Sequence, residues 1–523
     1  MTIRVACIGG GPGGLFFSTL LKRRLPEAEV VLFERNQAED AFGFGVVFSD
    51  ATLRRINEAD PVLNDALSDH GRHWDAIQVW LKGQRHAFEG NGMAAVHRRT
   101  LLALLQEKAR EAGVDLRFGT VVPDLAELAG YDLVVAADGA NSLTRRQIGE
   151  EVLGHEAVEA SAKFIWFGTT YMFDGLTFVH RQNEHGNFAA HAYPISDELS
   201  TFIVEADEQT WRNAGLDEFD PTQPPGVSDL KSKEYIEQLF APDLQGHGIV
   251  VNNSRWGNFR TRRTAHWYHD NVVFVGDALH TAHFSVGSGT KMAMEDSIVL
   301  AREVAAHPGD LPTALANYEA ERKPEVAKVQ DAARPSLSWW EHFGRYHNAF
   351  DPLQFTFHFF SRSIPREKIR RRDPRLVAAV EQEWLGRHGA GPLDTPLTVD
   401  GVELTGRLLS AGAGGLTDGT ATVALDAPDV TVVEAPAHEA GLAAAFAQLP
   451  ASGAAVVRGG TGLTRRLVSE EARLGRGLTT VLLEDADEDA AATAILSGRA
   501  DAVAVGAGLV AENAGAVAAG GAR

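Results

Sequence analysis

GGGPGG, residues 9–14, follows the apolar run IRVACI and opens a helix-like segment, PGGLFFSTLLKRRL. A glycine trio between a buried strand and a helix predicts a βαβ opening. Gly9, Gly11 and Gly14 let the backbone approach a pyrophosphate, and the helix N-terminus receives its charge. Glu34 lies 20 residues past Gly14, where a carboxylate takes a ribose hydroxyl. A second segment, VVFVGDALHTAHFSVGSGTKMAMEDSIVLARE at residues 272–303, reads as strand, tight turn, glycine-rich loop and amphipathic helix. The pair implies a flavin dinucleotide.

The chain has 523 residues, enough for several domains, and its 44% hydrophobic and 23% charged content is that of a globular enzyme. A net charge of −21 argues against nucleic acid and anionic membrane surfaces as partners. No run of about 18 apolar residues predicts a transmembrane helix, and no basic leader with an apolar core precedes the first strand. The single cysteine, Cys7, sits in that strand as a small hydrophobe and allows no internal disulfide. These features fit a reducing cytoplasm, and abundant alanine and arginine fit a bacterial source. No metal-ligand pattern is present.

Along the chain, FGFGVVFSDATLRRI at residues 42–56 reads as a loop, with Gly43 and Gly45 permitting close approach to a ligand. Residues 98–112 place Leu101, Leu102, Leu105 and Ala109 on one helical face. YDLVVAADGANS, residues 131–142, is a strand ending in a turn that carries Asp138. KFIWFGTTYMF, GNFAAHAYPI and STFIVEA, between residues 163 and 206, read as antiparallel strands of a separate sheet roofing the site. Residues 207–260 read mostly as connection, and 311–343 as a long helix. From 396 the composition shifts to alanine, glycine, valine and aspartate, which marks a domain boundary.

The ordered signatures, GGGPGG with Glu34 and Arg35, Arg98 with Leu101 and Leu105, DGANS, GDALH, and Leu315, Tyr318, Glu319, Arg322 and Pro324, resemble those of class A flavoprotein monooxygenases. The resemblance implies an α/β fold, a para-hydroxybenzoate hydroxylase-like Rossmann-type (GR2) FAD-binding domain with an antiparallel β-sheet substrate domain. It covers roughly residues 1–335. The expected layout is FAD-binding domain at 1–72, 96–162 and 262–333, a substrate-domain excursion at 73–95, the substrate sheet at 163–261, a helical region at 334–395 and a tail at 396–523.

The same resemblance implies cofactor roles. Gly11, Pro12, Gly13 and Gly14 would cradle the diphosphate, and Glu34 and Arg35 the adenosine ribose. Arg98 would reach the phosphate and ribityl region. Asp138 would lie near FAD and the incoming nicotinamide, and Asp277, after Gly276, would bond the ribityl chain. Amides from Gly287 through Gly289 and Thr290 to Lys291 would face the flavin pyrimidine edge, where a helix N-terminus favours negative charge.

His283, Phe284, Ser285 and Lys291 depart from the usual family loop, and together with FGFGVVFSD they resemble a branch that hydroxylates aryl-coenzyme A thioesters. TPLTVDGVELTGRLLSAGAG, residues 395–414, and residues 467–506 resemble the opening and closing parts of an old-yellow-enzyme barrel. The section between is too short for a barrel of about 250 residues. The tail is therefore expected to be a degenerate remnant without a second flavin.

By resemblance, NADH or NADPH reduces FAD, and O2 yields a C4a-hydroperoxide that the aromatic ring attacks. A thioester withdraws electron density from the ring. An ortho hydroxyl, best as phenolate, restores it at the para position, carbon 5, so a salicylyl group fits. His283 is the first candidate for a substrate-facing base, with bonding of the loop backbone as the other reading. His191 and Tyr193 share one strand face and point either into the cavity or to solvent. Phe284 would contact substrate. Arg366, Lys368, Arg370, Arg371 and Arg372 either recognise the nucleotide phosphates of coenzyme A or form a solvated helix face.

Anthraniloyl-CoA and free hydroxybenzoate remain alternative substrates. A flavin halogenase would need a W-x-W-x-I-P segment, which is absent, and a non-catalytic flavin-binding protein would oxidise no NADH in response to substrate. Homodimer formation and the choice between NADH and NADPH stay open.

Overall fold

The computed structural model describes residues 2–506 except 42, 221, 225 and 288. It divides into two compact units, Met1–Lys82 with Asn91–Glu341, and Gly83–Gly90 with His342–Arg523. Among the described residues, no helix is long and apolar enough to cross a membrane.

The first unit is built on a six-stranded sheet. Val272–Phe274, Leu133–Ala136, Arg4–Ile8, Glu29–Phe33 and Asp115–Arg117 run parallel in that spatial order, and Tyr268–His269 adds an antiparallel edge. Val5, Ala6 and Cys7 are fully buried, as expected of strands covered on both faces. Burial pushes the Cys7 thiol up to about 12, so it is an inert packing group.

A second sheet orders Ile249–Val250, His155–Thr169, Ser200–Ala206, Gly186–Pro194, Leu176–Asn183 and Ile77–Leu81. Gly257–Thr264 pairs with the first half of His155–Thr169. Leu176–Asn183 and Ile77–Leu81 pair parallel, whereas the other pairs named here are antiparallel. Register assigns its two faces. Phe167, Phe188, Phe202 and Val204 pack into one core, while Phe164, Trp166, His180, His191, Tyr193 and Glu205 line the other face.

Two segments expected as loop or connection contain regular elements. Residues 42–56 contain the strand Gly45–Ser49, paired antiparallel with Met93–His97, and the start of the helix Asp50–Ala59. The glycines misled the loop reading, because Gly45 starts a strand instead of interrupting one. Residues 207–260 contain the helices Glu208–Asn213 and Leu230–Leu239, capped by Asp207 and Asp229.

The second unit begins inside the helix Leu311–Ala349, which includes Pro324 and Pro335. It takes in the helices Pro352–Phe360, Arg366–Arg372 and Pro374–His388 together with the tail, so the compositional shift at 396 is not where the compact unit starts. The reason is a shared core. Tyr346 donates to Glu470 at 2.5 Å, and Arg499 donates to Ser361 and to the His358 carbonyl, each at 2.8 Å.

Among the described residues of the tail, five parallel strands lie in the order Leu408–Gly412, Ala502–Val505, Thr479–Leu483, Ala454–Gly459, Val430–Ala435. The first of these strands pairs with the last, as in a closed ring, yet among the described residues the sheet stays open. An eightfold barrel needs eight such strands.

Candidate active site

The Gly-rich turn is shaped for a ligand. Gly9 has φ +115°, and a Cβ there would strike the Ala137 carbonyl. A Cβ at Gly14 would strike the Gly9 carbonyl, so strand, turn and helix Pro12–Arg24 can close only on glycine. Gly11 is the N-cap, with no side-chain cap, and has nothing within 4 Å of where its Cβ would be. The helix N-terminus therefore keeps its amides for an anion. Ser297 donates to the Gly13 carbonyl at 2.8 Å and ties this helix to Gly289–Ala306.

Glu34 accepts from the Gly10 amide at 2.6 Å and from the Asn36 amide and side chain at 2.8 and 2.7 Å. Its carboxylate is thereby held beside the turn. Arg35 is exposed next to it.

Three charged groups converge beyond the turn. Arg98 opens the helix Arg98–Ala112, its amide fixed on the Phe44 carbonyl at 2.7 Å. Burial lowers the Arg98 pKa, and the nearby Asp277 and Tyr193 oppose the shift. Asp277 is open to the recess, and the protein around it raises its pKa against the pull of His280, Arg98 and Arg262. Arg262 is only 9% exposed. Burial lowers its pKa, with Arg145 and Arg260 adding to the shift. Among the described residues, the guanidinium groups of Arg98 and Arg262 have no hydrogen-bond or ion-pair partner. One buried and one half-buried cation left so favour an anion, such as a diphosphate. The cradle and its charges fit FAD.

Asp138 braces the turn in which it was expected, accepting from the Thr144 amide and hydroxyl at 3.1 Å each. Arg145, which sequence reasoning missed, is 4% exposed and donates to the Ala278 and Ala140 carbonyls at 2.7 and 3.0 Å. It fastens DGANS to GDALH. His280 meets Asp296 at 2.7 Å, and Asp296 also accepts from Gly276 and Arg322. Tyr318 donates to the Phe274 carbonyl at 2.9 Å. The fifth signature is thus a brace behind the GDALH turn.

Gly287 adopts a left-handed cap, and Gly289, Thr290 and Lys291 form the first turn of Gly289–Ala306. Ser288 lies outside the described residues. Lys291 and Gly287 line a cavity of about 190 Å³ with Val47, Ser49, Thr52 and Met93.

His191 and Tyr193 are 3% and 6% exposed, so the solvent-face alternative falls. The Tyr193 hydroxyl donates to the Gly45 carbonyl at 3.4 Å. Burial pushes its pKa up to about 12, opposed by the Thr201 hydrogen bond and the Arg98 charge, so Tyr193 acts as a neutral hydrogen-bonding group. His191 Nε2 lies 2.7 Å from Glu205 Oε1, and His283 Nε2 lies 4.0 Å from Glu205 Oε2. His283 Nδ1 meets Ser285 Oγ at 2.7 Å and accepts from the Ser285 amide at 3.4 Å. The loop-backbone role weighed for His283 is therefore present. Phe284 has its ring centroid 5.0, 5.5 and 5.8 Å from those of Phe164, Trp166 and His191.

The basic run lies in the second unit and is largely paired within it. Arg366 bridges Glu381 and Asp489, each at 2.8 Å. Arg370 meets Glu381 and Glu367 at 2.7 and 3.0 Å, and Arg371 meets Glu367 at 3.2 Å. Three of the five cations, Arg366, Arg370 and Arg371, are thus paired with carboxylates of the same unit. Lys368 and Arg372 are exposed.

Residues 130–333 match the family model for an FAD binding domain. The chain belongs to the class A FAD-dependent monooxygenases. It is 55% identical over 518 residues to salicyloyl-CoA 5-hydroxylase of Streptomyces sp, an alignment spanning 95% of this chain and 98% of that relative. It is 35% identical over 338 residues to 3-hydroxy-4-methyl-anthranilyl-[aryl-carrier protein] 5-monooxygenase of Streptosporangium sibiricum, covering 65% of this chain and 89% of the relative. The crystal structure of p-nitrophenol 4-monooxygenase PnpA from Pseudomonas putida DLL-E4 aligns with TM-score 0.54 at 15% identity, over 73% of this chain and 98% of that one, and so shares its fold.

Proposed function

We propose that this enzyme hydroxylates carbon 5 of salicyloyl-CoA to give gentisyl-CoA, with NADH and O2 as cosubstrates, in the cytoplasm. The observation that carries the reading is the 55% identity to salicyloyl-CoA 5-hydroxylase, which extends over 518 residues and so through both units. Bound FAD supplies the reduction by nicotinamide and the activation of oxygen.

The chain's own residues hold, orient and shield. The helix N-terminus after Gly11 and the cations Arg98 and Arg262 receive phosphate, and Glu34 takes a ribose hydroxyl. Lys291 and the first turn of Gly289–Ala306 favour negative charge on the flavin pyrimidine edge. The aromatic wall of Phe164, Trp166 and Phe284 excludes water from the ring being oxidised. His191, Tyr193 and His283 supply polar groups for the ring hydroxyl.

The test is NADH consumption by the FAD-loaded protein with salicyloyl-CoA, salicylate or anthraniloyl-CoA, with mass spectrometry of each product. The expected result is a one-oxygen gain with salicyloyl-CoA and none with salicylate. Equal turnover of the free acid, or none of any thioester, overturns the substrate.

A further inference from the structure

Four consecutive side chains just after the strand Ile249–Val250 each tie down a different part of the first unit. Asn252 donates through its carboxamide nitrogen to the Ala41 carbonyl at 3.1 Å and to the Gly43 carbonyl at 2.9 Å. Asn253, in the left-handed region at φ +54°, accepts from the Gly226 amide at 2.9 Å. Ser254 is fully buried, donates to the Trp166 carbonyl at 2.6 Å and accepts from the Asn252 amide at 3.1 Å. Arg255 donates to the Gln223 and Val227 carbonyls at 2.8 and 2.9 Å.

Asn252 is the member of this group that reaches the cofactor side. A primary carboxamide has two N–H donors, and Asn252 spends both on the chain leading into the strand Gly45–Ser49. Two carbonyl acceptors also settle which end of the carboxamide faces them. Its backbone is fixed through Ser254 to the strand His155–Thr169, at the residue that contributes Trp166 to the aromatic wall. One residue therefore joins the substrate sheet to the segment before Gly45–Ser49.

Three successive carbonyls in that segment are held from three different elements. Gly43 is held by Asn252, Phe44 by the Arg98 amide at 2.7 Å, and Gly45 by the Tyr193 hydroxyl at 3.4 Å. The Arg98 bond is backbone to backbone, and the Tyr193 bond is long and so weak. The Asn252 grip is thus the strong side-chain fastening, and it is separate from the cofactor's cations. What it holds matters for the site. The helix that presents Arg98 starts on the Phe44 carbonyl, and Val47 and Ser49 line the cavity beside Gly287 and Lys291.

We propose that Asn252 is a positioning residue that seats residues 43–45 against the cofactor site, and that this seating couples oxygen activation to ring hydroxylation. In the coupled reaction NADH, a proton, O2 and a ring C–H give NAD+, a ring C–OH and water. In the uncoupled reaction NADH, a proton and O2 give NAD+ and hydrogen peroxide, and the ring is recovered unchanged. Both consume one NADH, so a residue that shields the site changes the product ratio more than the rate of NADH oxidation. The coupling readout rests on the proposed salicyloyl-CoA substrate.

Asn252→Ala removes the grip. Asn252→Asp keeps its size and replaces two donors by a carboxylate facing two carbonyl oxygens. Two neutral hydrogen bonds shift a local equilibrium about tenfold, so in the FAD-loaded variants with salicyloyl-CoA the peroxide formed per NADH should rise by up to about tenfold. The rate of NADH oxidation should change little. Asn252→Asp should uncouple at least as much as Asn252→Ala, which separates donor loss from lost packing. Iodide quenching of bound-FAD fluorescence, measured without substrate, should strengthen in both. Unchanged peroxide yield and quenching in variants that hold FAD would overturn the assignment. A lower melting temperature with coupling intact would do the same, marking Asn252 as a brace of the fold alone. Loss of FAD from both variants would also refute it, since the cofactor is proposed to be held by other residues. If the parent enzyme turns over no thioester, the substrate reading fails, and the quenching comparison still decides on Asn252.

Discussion

Two parallel sheets in this chain each send a glycine-rich turn into a helix, and the two turns end in opposite states. At Gly9–Gly11 the helix Pro12–Arg24 has a glycine N-cap, no side-chain hydrogen bond, and open space beside it. At Gly459–Gly462 the helix Gly462–Glu470 has a complete capping box between Thr461 and Thr464. Arg465 also donates to the Gly459 carbonyl at 2.7 Å. The first turn leaves amides for an outside anion, while the second satisfies its own polar groups. Glycine content alone does not mark a nucleotide site, because the capping residue decides whether the helix end is available.

The comparison is broken most severely at Gly14. Gly14→Val should abolish FAD retention, since even a Cβ there strikes the Gly9 carbonyl. Visible flavin absorbance of the purified protein checks this, and full flavin content would show that the first turn tolerates the closure it is built to avoid. Glu34→Ala comes next. Removing a charged acceptor from the Gly10 amide costs about 1.5–3 kcal/mol, so FAD affinity by fluorescence titration should drop at least tenfold.

The second unit carries its own pH dependence. His358 is fully buried, and burial, followed by the Arg499 charge, holds its pKa well below the usual value. The native state therefore binds fewer protons than the unfolded state below about pH 6.5. Its stability contribution is complete above that pH and is lost as pH falls, by up to about 1.4 kcal/mol per pH unit. Hydrogen exchange of tail peptides between pH 7 and 5 should accelerate accordingly, and His358→Gln should flatten the trend. The smallest effect is expected at Thr461→Ala. Loss of the cap should cost the tail about 1 kcal/mol, read as a lower melting temperature with flavin content unchanged. A simultaneous loss of FAD would dissolve the distinction between the two turns.

What could be read in the sequence follows from where the constraint lies. The fingerprint glycines are legible because steric closure at Gly9 and Gly14 admits no other residue. Glu34 is legible because its distance from the turn is set by one helix and one strand. Glu205 was not, although STFIVEA puts it at the same parity as Thr201 and Ile203. Its meeting with His191 depends on cross-strand register, which a single strand does not encode. Arg145 and Arg262 stand among other basic residues in RRQ and RTRRT, and only burial separates them from surface charge. The shared core of the second unit, where Tyr346 reaches Glu470 across 124 positions, leaves no local trace at residue 342.

The tail's sheet also ties together segments that lie far apart in sequence. Leu408–Gly412 lies directly beside Ala502–Val505, so its outermost strands in sequence are partners in space. Losing the last of these strands would therefore strip Leu408–Gly412 of its parallel neighbour and leave Thr479–Leu483 at an edge, so the two ends of this sheet's sequence stand or fall together.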